Sequence, residues 1–467
     1  MNRPRGLEGE VIVKVERGAD TQFARVELVD VEKLLHRPRS VPPPQHRVRN
    51  NYGSNVSRIL FAPETFNLGE TSRGVEVARE LARRGHDVLF MGYSPRFAGY
   101  VRDAGFPLEL LEPALSEADA DALIAVDQGR GLRHPFTTAM IRQRVDSELA
   151  LIRSWQPDAI VIGTTLSIFL SARIAGVPLA YVKPFPLSRG HLANVRELPL
   201  FVGNGTVARA GNRAAGALAR FLAPRIRWKP SSFSRVAREK GLDLSGPTLA
   251  LMASDADLIA SPFPLIDSRP LAAGETAVGP VYGRSDAELP ESLSAFTSRS
   301  RPCIYVGLGS SGNAGLAHRL LCQLGEMDVD VITSTGRFLD EAARRSLPDS
   351  IQVFDFLPAH RLAGLVDASI IHGGEGTVQT ACASGAPFAG IGLQLEQRCN
   401  IDECVRYGNA LRFTPADVRK GRVPAFVTRL LTDEGLQHRA RVLGGIASQF
   451  DGPSACADQI LALASQD

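Results

Sequence analysis

Residues 58–91 read RILFAPETFNLGETSRGVEVARELARRGHDVLFM. The apolar run 58–62 predicts a buried strand, and the amphipathic stretch 71–84 predicts a helix that ends at Gly85, because glycine readily adopts the positive φ of a helix C-terminus. A second apolar run follows at 87–91. This order of strand, helix and strand predicts a parallel sheet covered by helices.

The same alternation recurs along the chain. Further strands are predicted at 159–163 and 179–182, and a second series begins with a strand at 304–308. The later strands of that series are predicted at 328–334, 352–356, 369–371 and 388–391. The sequence therefore predicts an α/β protein with two Rossmann-like, doubly wound parallel sheets.

Changes in composition divide the chain into five parts. An N-terminal extension with a proline-rich linker occupies 1–55, a first domain 56–283, a linker 284–300, a second domain 301–448 and a final helix 449–467. The extension begins with a hairpin-like alternation and continues into the proline run. It is interpreted either as a docking arm or as a poorly ordered terminus.

Bulk composition excludes several classes of protein. The chain has 467 residues, of which 44% are hydrophobic, and a formal net charge of +3. The composition is that of an ordinary globular chain, and the charge is too small to indicate nucleic-acid binding. None of the six cysteines lies in a C-x-x-C pair, and the first residues contain no apolar signal-peptide core. We therefore expect a cytoplasmic protein without a metal site, a disulfide framework or a transmembrane segment.

The segment 371–377 reads IHGGEGT and lies between a predicted strand and a predicted helix. Glycines in such a turn let backbone N–H groups approach an anion, and the helix N-terminus adds a partial positive charge. His372 and Thr377 supply further hydrogen-bond donors. The segment fits a phosphate site, and a tight turn around a structural histidine has the same pattern.

Downstream residues extend this pattern. Gly385 and Pro387 follow, and then Glu396, Gln397 and Asn400. In order and spacing they resemble the donor motif of nucleotide-sugar glycosyltransferases of the macrolide and plant secondary-metabolite type, which reads H-x-G-x-x-(S/T), then G-x-P, then (D/E)-Q-x-x-N. The resemblance implies the GT-B fold, in which two Rossmann-like domains face a central cleft.

The resemblance also implies roles for residues of the second half. His372 would contact the α-phosphate, and Gly374 and Thr377 would complete the pyrophosphate cradle. Glu396 and Gln397 would bind sugar hydroxyls. The carboxylate of Glu396 accepts hydrogen bonds, and the carboxamide of Gln397 both accepts and donates them. The other expected donor contacts are Ser310, Ser311, Phe356, Leu357, Gly373 and Gly376, with Arg337 either over the base or phosphates or in solvent.

The first half departs from that family. Its enzymes carry a catalytic histidine in the turn after the first strand, and the alignment of 68–88 places Glu70 there. A buried carboxylate acts as a general base when its pKa rises toward the working pH. Glu70 is therefore the expected catalytic base, and Glu64 is its competitor. Two other roles also fit Glu70: a carboxylate that stabilises the first turn of a helix, or a contact to a cationic acceptor. Gly69 and Arg73 are expected near the phosphates or the acceptor, and Arg73 alternatively pairs with Glu70.

A basic stretch at 196–240 marks the expected acceptor side. Arginines and lysines far outnumber acids there, and apolar residues such as Phe221, Ile226 and Trp228 are interleaved. Such a stretch fits peripheral contact with an anionic membrane or the binding of an acidic acceptor. A solvated helix face has the same composition.

These features predict the transfer of a sugar from a UDP- or dTDP-sugar to a small-molecule acceptor of natural-product or lipid-like type. That the reaction is inverting and metal-independent follows from the resemblance alone. The nucleotide sugar is a co-substrate, so no resident cofactor is expected. The partners are this sugar and the acceptor, without nucleic acid, bound by a monomer or homodimer. Two alternatives stay open, a sugar-nucleotide epimerase of the same architecture and a non-catalytic accessory protein.

Overall fold

The computed structural model describes residues 13–14, 23–24, 56–127, 135–163, 165–203, 205–266, 269–293, 301–309 and 312–465. The chain forms two compact units, Met1–Asn55 and Val56–Asp467. In the first unit, strand β1 (Val13–Lys14) pairs antiparallel with β2 (Phe23–Ala24). The expected proline-rich linker lies outside the described residues.

The first sheet of the second unit has seven parallel strands in the order β5-β4-β3-β6-β7-β8-β9. The order reverses between β3 and β6, so the carboxyl ends of these strands form the switch point at which doubly wound sheets bind ligands. The strands are β3 (Arg58–Ala62), β4 (Asp87–Gly92), β5 (Leu108–Leu110), β6 (Ala159–Ile162), β7 (Leu179–Lys183), β8 (Ala256–Ile259) and β9 (Glu275–Ala277).

The second sheet has six parallel strands in the order β12-β11-β10-β13-β14-β15. Its switch point lies between β10 and β13. The strands are β10 (Cys303–Gly307), β11 (Asp330–Thr333), β12 (Ile351–Val353), β13 (Ala368–Ile371), β14 (Phe388–Ile391) and β15 (Ala410–Phe413).

Helices alternate with these strands. In the first domain they are α1 (Leu68–Arg83), α2 (Ala98–Asp103), α3 (Glu117–Asp127), α4 (Thr138–Trp155), α5 (Ile168–Ala175), α6 (Arg189–Asn194), α7 (Thr206–Leu222), α8 (Ser231–Glu239), α9 (Thr248–Leu251) and α10 (Phe263–Ile266). The second domain follows with α11 (Ala314–Gly325), α12 (Glu341–Arg345), α13 (Glu375–Ser384), α14 (Leu395–Tyr407), α15 (Pro415–Arg419), α16 (Val423–Thr432) and α17 (Glu434–Ala447), and the chain ends with α18 (Gly452–Ala464). Short 3-10 turns lie at Phe185–Leu187, Gly336–Phe338 and Ala359–Leu362.

Each face of a sheet has its own core, because successive strand residues point to opposite sides. In β3, Leu60 packs in the core beneath α4 and α8, whereas Ile59 and Phe61 pack in the core beneath α1 and α18. Strand β10 divides its residues between two cores in the same way. Burial on both faces explains why these strands appear in the sequence as continuous apolar runs.

The last helix, α18, packs on the first domain. Its residues Cys456 and Ile460 are fully buried in the core that also holds Phe61. At the end of α1, Arg84 Nη1 donates to Asp458 Oδ1 at 2.5 Å. The chain therefore returns to the first domain after the second sheet is complete.

The predicted fold class is confirmed, since the structure contains two doubly wound parallel-sheet domains. One boundary differs from the prediction: the helix expected at 71–84 begins at Leu68. Asn67 causes the earlier start, because its side chain accepts a hydrogen bond from the Gly69 N–H at 3.0 Å and caps the first turn. Glu70 consequently lies within the first turn of α1.

Candidate active site

His372 follows β13 and lies beside the end of β10. Its Nδ1 is 3.3 Å from the carbonyl oxygen of Gly307. A carbonyl oxygen only accepts, so Nδ1 carries the hydrogen in this contact. Burial lowers the pKa of His372 to about 4. The imidazole is therefore neutral at pH 7, and Nε2 is its acceptor nitrogen.

Two glycines enclose the His372 ring. Gly309 has a φ of +54°, and a Cβ at this position would overlap the imidazole. A Cβ on Gly374 would lie 2.5 Å from Nε2. A larger residue at either position would displace the ring. The two glycines thus keep the His372 ring in one position. A phosphate site explains glycines through access to the backbone, and here they also make room for this ring.

Helix α13 begins directly after this turn, with Gly374 as its N-cap and Glu375 as its first residue. The N–H groups of the first turn, to which Gly376 and Thr377 belong, have no acceptor within the helix. The partial positive charge of this terminus suits a diphosphate. Thr377 is half-buried and borders a small cavity.

Arg73 connects the two domains. Its Nη1 donates to Glu375 Oε2 at 2.6 Å, and its Nη2 lies 3.2 Å from Glu70 Oε1. The side chains of Arg73, Glu70 and Glu375 are only 5%, 9% and 15% exposed. Glu70 also faces the end of β6, because a Cβ on Gly163 would lie 3.0 Å from Glu70 Oε2. We call Glu70, Arg73 and Glu375 the acid–arginine cluster.

The two carboxyl groups of this cluster share one guanidinium. Burial raises the pKa of Glu70, while Arg73 opposes the shift. Burial likewise raises the pKa of Glu375 to about 8 against the effect of Arg73, and the neighbouring carboxylates of Glu396 and Glu70 raise it further. The cluster therefore retains a proton near neutral pH. Such a site suits a carboxylate that takes up and releases a proton during a reaction.

Glu375→Gln is expected to change how stability depends on pH. The pKa of Glu375 lies near 8 in the folded protein, above its ordinary value of 4.5, so its contribution to stability is complete below pH 4.5 and is lost as the pH rises through about 8. The thermal midpoint of the wild type should therefore fall relative to that of the variant over this range. Exposed Glu341→Gln is the matched control, and parallel profiles for wild type and Glu375→Gln would contradict the assignment.

The expected sugar contacts lie at the start of α14. Asn400 Nδ2 donates to Glu396 Oε1 at 2.8 Å and to the Gly373 carbonyl at 3.1 Å. Asn400 therefore ties α14 to the glycine turn and orients the solvent-exposed Glu396. Gln397 is buried, and its Oε1 accepts from the backbone N–H groups of residues 393–394 at 3.1 and 3.2 Å. This oxygen therefore caps the start of α14. The sequence predicts only a sugar contact for Gln397 and not this capping role.

The remaining expected contacts differ in their exposure. Arg337 has its guanidinium 5.0 Å from the ring centroid of Phe338. Ser310 and Ser311 lie outside the described residues. The exposed residues of the set are Gly69, Arg337 and Phe356, and the buried one is Leu357.

Glu64, the competitor for the role of base, forms a buried ion pair. Arg144 Nη2 donates to Glu64 Oε1, and the guanidinium lies 3.8 Å from the centroid of the Tyr93 ring. One turn later on α4, Glu148 accepts from Tyr93 Oη at 2.9 Å, and burial raises the pKa of Glu148 to about 7. Arg144 and Glu148 are not among the functional residues predicted from the sequence. The two residues are four positions apart, so both charges lie on the apolar face of α4. Charged residues at apolar positions of a helix are a signal that can be read from the sequence.

A small cavity lies between the two domains beside the acid–arginine cluster. Gln379 of α13 lines it and connects the domains: its Nε2 donates to the Ala260 carbonyl at 2.7 Å, and its Oε1 accepts from the Val281 N–H at 2.7 Å. The Gln379 Nε2 also contacts Glu375 Oε1 at 3.1 Å. The position of Glu375 is thus fixed from both sides of the cleft.

Within the described ranges, no three His, Cys, Asp or Glu side chains lie together in a geometry that would hold a metal ion. Among the helices of those ranges, none combines the length and apolar content needed to cross a membrane.

Comparisons with known proteins agree with this architecture. Residues 318–463 match the family described as erythromycin biosynthesis protein CIII-like, C-terminal domain. A PGL/p-HBAD biosynthesis glycosyltransferase of Mycobacterium tuberculosis is 28% identical over 396 residues, which cover 83% of this chain and 87% of that protein. A PGL/p-HBAD biosynthesis rhamnosyltransferase of Mycobacterium bovis is 27% identical over 386 residues, covering 80% of this chain and 81% of that protein.

The fold is also found among solved structures. The glycosyltransferase VinC, crystallised in complex with dTDP, superimposes with a TM-score of 0.64 at 19% identity over 88% of this chain and 100% of that one. At that identity the likeness shows the fold alone. The chain thus has the GT-B fold and is an enzyme of the glycosyltransferase class, similar in its second domain to the erythromycin biosynthesis protein CIII-like family.

Proposed function

We propose that the chain transfers a sugar, with inversion and without a metal ion, from a UDP- or dTDP-sugar to a small-molecule acceptor of natural-product or lipid-like type. The observation that carries the proposal is the acid–arginine cluster, in which a buried carboxyl of the first domain lies next to the first turn of α13. The cluster joins an expected proton acceptor to an expected diphosphate site. The nucleotide sugar is the co-substrate, and the proposal includes no resident cofactor.

On the donor side, the diphosphate would lie against the first turn of α13 and the His372 ring. The helix terminus replaces a metal ion, because its N–H groups stabilise the negative charge that grows on the leaving diphosphate. His372 is neutral with its hydrogen on Nδ1, so it contributes a donor at Nε2 once that nitrogen is protonated. The negative phosphate favours this protonation.

On the acceptor side, Glu70 would take the proton from the attacking hydroxyl. The acceptor oxygen then bonds to the anomeric carbon while the bond from that carbon to the diphosphate breaks. Attack opposite the leaving group inverts the anomeric configuration. Arg73 is a positioning residue in this scheme. Its Nη2 lies 3.2 Å from Glu70 Oε1, and this contact holds the Glu70 carboxyl toward the cleft.

The relatives' names support sugar transfer as the reaction. Proteins named for PGL/p-HBAD biosynthesis, and one of them a rhamnosyltransferase, are similar to this chain over most of its length. A rhamnosyl donor is therefore a first choice for an activity screen. Both UDP- and dTDP-linked sugars belong in that screen.

A thermal-shift panel tests the donor site. At about one hundred times its dissociation constant, the right UDP- or dTDP-linked compound should stabilise the protein by roughly 2.7 kcal/mol. His372→Ala should lose this stabilisation because it removes the phosphate contact. The exposed His438→Ala is the matched control and should retain it.

The panel has an outcome that would overturn the proposed donor site. If GDP- or ADP-linked compounds stabilise the protein instead, the assignment of the donor class is wrong. If His372→Ala and wild type respond equally to every nucleotide, the diphosphate does not bind at this loop.

A further inference from the structure

Helix α7 (Thr206–Leu222) contacts the body of the first domain along one narrow face. Its buried residues are Asn212 and Gly216, and a Cβ on Gly216 would lie 2.5 Å from the carbonyl oxygen of Arg196. The Asn212 amide accepts from the Phe201 N–H at 2.9 Å and donates to the Phe201 carbonyl at 3.1 Å. The helix is therefore firmly held, and the rest of its circumference faces solvent.

The face away from the protein is apolar. Val207, Leu218 and Phe221 lie along it at the spacing of one helical face, and they are 85%, 57% and 58% exposed. In the loops before and after the helix, Phe201 and Trp228 are 55% and 68% exposed. Several large apolar side chains exposed on one helix face and its flanking loops are typical of an interaction site. We call Val207, Leu218 and Phe221 the exposed apolar face.

Positive charge lies on the flank of α7 between the exposed apolar face and the buried residues. Arg209, Arg213 and Arg220 are on that flank. Arg213 Nε donates to Glu197 Oε1 at 2.9 Å, and Arg220 Nη1 donates to the Val195 carbonyl. In the surrounding segment 196–229, the basic residues are Arg196, Arg209, Arg213, Arg220, Arg225, Arg227 and Lys229, against Glu197 as the one acid.

Helix α8 belongs to the same basic stretch as α7, but its apolar side chains are not exposed. Its apolar residues Phe233, Val236 and Ala237 are buried, and they belong to the core beneath α4. The stretch 196–240 thus consists of two parts, and the exposed apolar face belongs to the first.

The segment that leads into α7 also contacts the second domain. Arg398 Nε, on α14, donates to the Pro199 carbonyl at 2.8 Å. Arg398 lies two residues after Glu396, an expected sugar contact. A surface bound through α7 would therefore lie close to the helix that borders the cleft.

We propose that α7 and its flanking loops dock on an anionic phospholipid bilayer, with the exposed apolar face at the acyl boundary and the arginines against the lipid phosphates. An exposed apolar stripe with arginines on the flank of the same helix matches both layers of such a surface. Contact with a second copy of the chain would bring two sets of these seven basic residues together, so charge complementarity favours the bilayer. The inference concerns the surface of α7 and does not depend on which sugar is transferred.

Vesicle co-sedimentation of the full chain tests this inference. The protein should bind vesicles of phosphatidylcholine mixed with phosphatidylglycerol and bind phosphatidylcholine vesicles far more weakly. Leu218→Ser with Phe221→Ser should weaken binding by roughly tenfold or more. Arg209→Gln should weaken it roughly fivefold, and added salt should reduce the binding of the wild type.

Matched controls come from the second domain. Val442 is exposed on α17, so Val442→Ser controls for the apolar substitutions, and Arg345→Gln controls for the loss of an exposed charge. Both should bind vesicles like the wild type. Thermal midpoints of all variants establish that they are folded.

Trp228 offers an independent readout. The chain has two tryptophans, so Trp155→Phe leaves the emission of Trp228 alone. Its maximum should move to shorter wavelength with anionic vesicles. No binding to anionic vesicles, equal binding by the Leu218→Ser, Phe221→Ser variant, or a dimer that this variant dissociates without any vesicle binding would each overturn the inference.

Discussion

A Glu70→Gln variant is expected to lose between about 100-fold and 10,000-fold in kcat, the range over which a positioned general base acts. The amide preserves the size of the side chain and its place in the first turn of α1, but it does not accept the acceptor's proton. The donor contacts expected from the motif belong to the second domain, so the affinity for the nucleotide should remain nearly unchanged. Initial rates at saturating donor and acceptor, together with nucleotide titrations, separate these two quantities.

The pH profile adds a second readout for Glu70. Burial raises the pKa of this carboxyl, so kcat of the wild type should fall on the acid side at a higher pH than an ordinary glutamate would produce. Glu70→Gln should abolish that acid limb. If Glu64→Gln shows the large loss and Glu70→Gln retains activity, the base is Glu64 and its pairing with Arg144 must open in the complex.

An Arg73→Met variant is expected to lose about 3–5 kcal/mol in the free energy of unfolding, as is typical when one partner of a buried ion pair is removed. The substitution leaves the carboxyl groups of Glu70 and Glu375 buried without the guanidinium that now contacts both. Urea denaturation measures the loss. Adding Glu70→Gln should recover much of it, because a neutral amide has a smaller desolvation penalty than a carboxylate.

The exposed pair Arg345–Glu341 provides the matched control for Arg73. Its side chains are 76% and 71% exposed, so Arg345→Met should change stability by less than about 1 kcal/mol. Equal effects of Arg73→Met and Arg345→Met would show that the acid–arginine cluster is not electrostatically coupled. The stability result is independent of activity, so it also separates a structural role of Arg73 from a failure of the proposed reaction.

Local patterns in the sequence were sufficient for the fold class. The strands are buried on both faces, so each appears as an apolar run, and helix ends are marked by residues such as Gly85 and Gly385, whose φ values are +87° and +74°. The start of α1 was predicted too late, because a side-chain cap by Asn67 extends the helix beyond its apolar periodicity.

Contacts between distant residues explain what the sequence analysis lacked. Arg73 and Glu375 are 302 positions apart, and their pairing depends on how two separately patterned domains approach each other. Periodicity within either segment contains no information about that approach. Gln397 illustrates a related limit, since its spacing fits the donor motif while its Oε1 caps α14. A motif specifies a residue type, and the backbone around it decides which atoms are engaged.

The return of α18 to the first domain has a consequence for chimeric enzymes. Four residues of α18 complete a core whose other buried members lie between Ile59 and Val281: Cys456, Ala457, Ile460 and Leu463. Exchanging the donor half with that of a homologue at a single crossover would therefore bring a foreign helix into this core. A chimera that alters donor choice needs two crossovers, one in the linker and one before Gly452, so that the recipient keeps its own last helix.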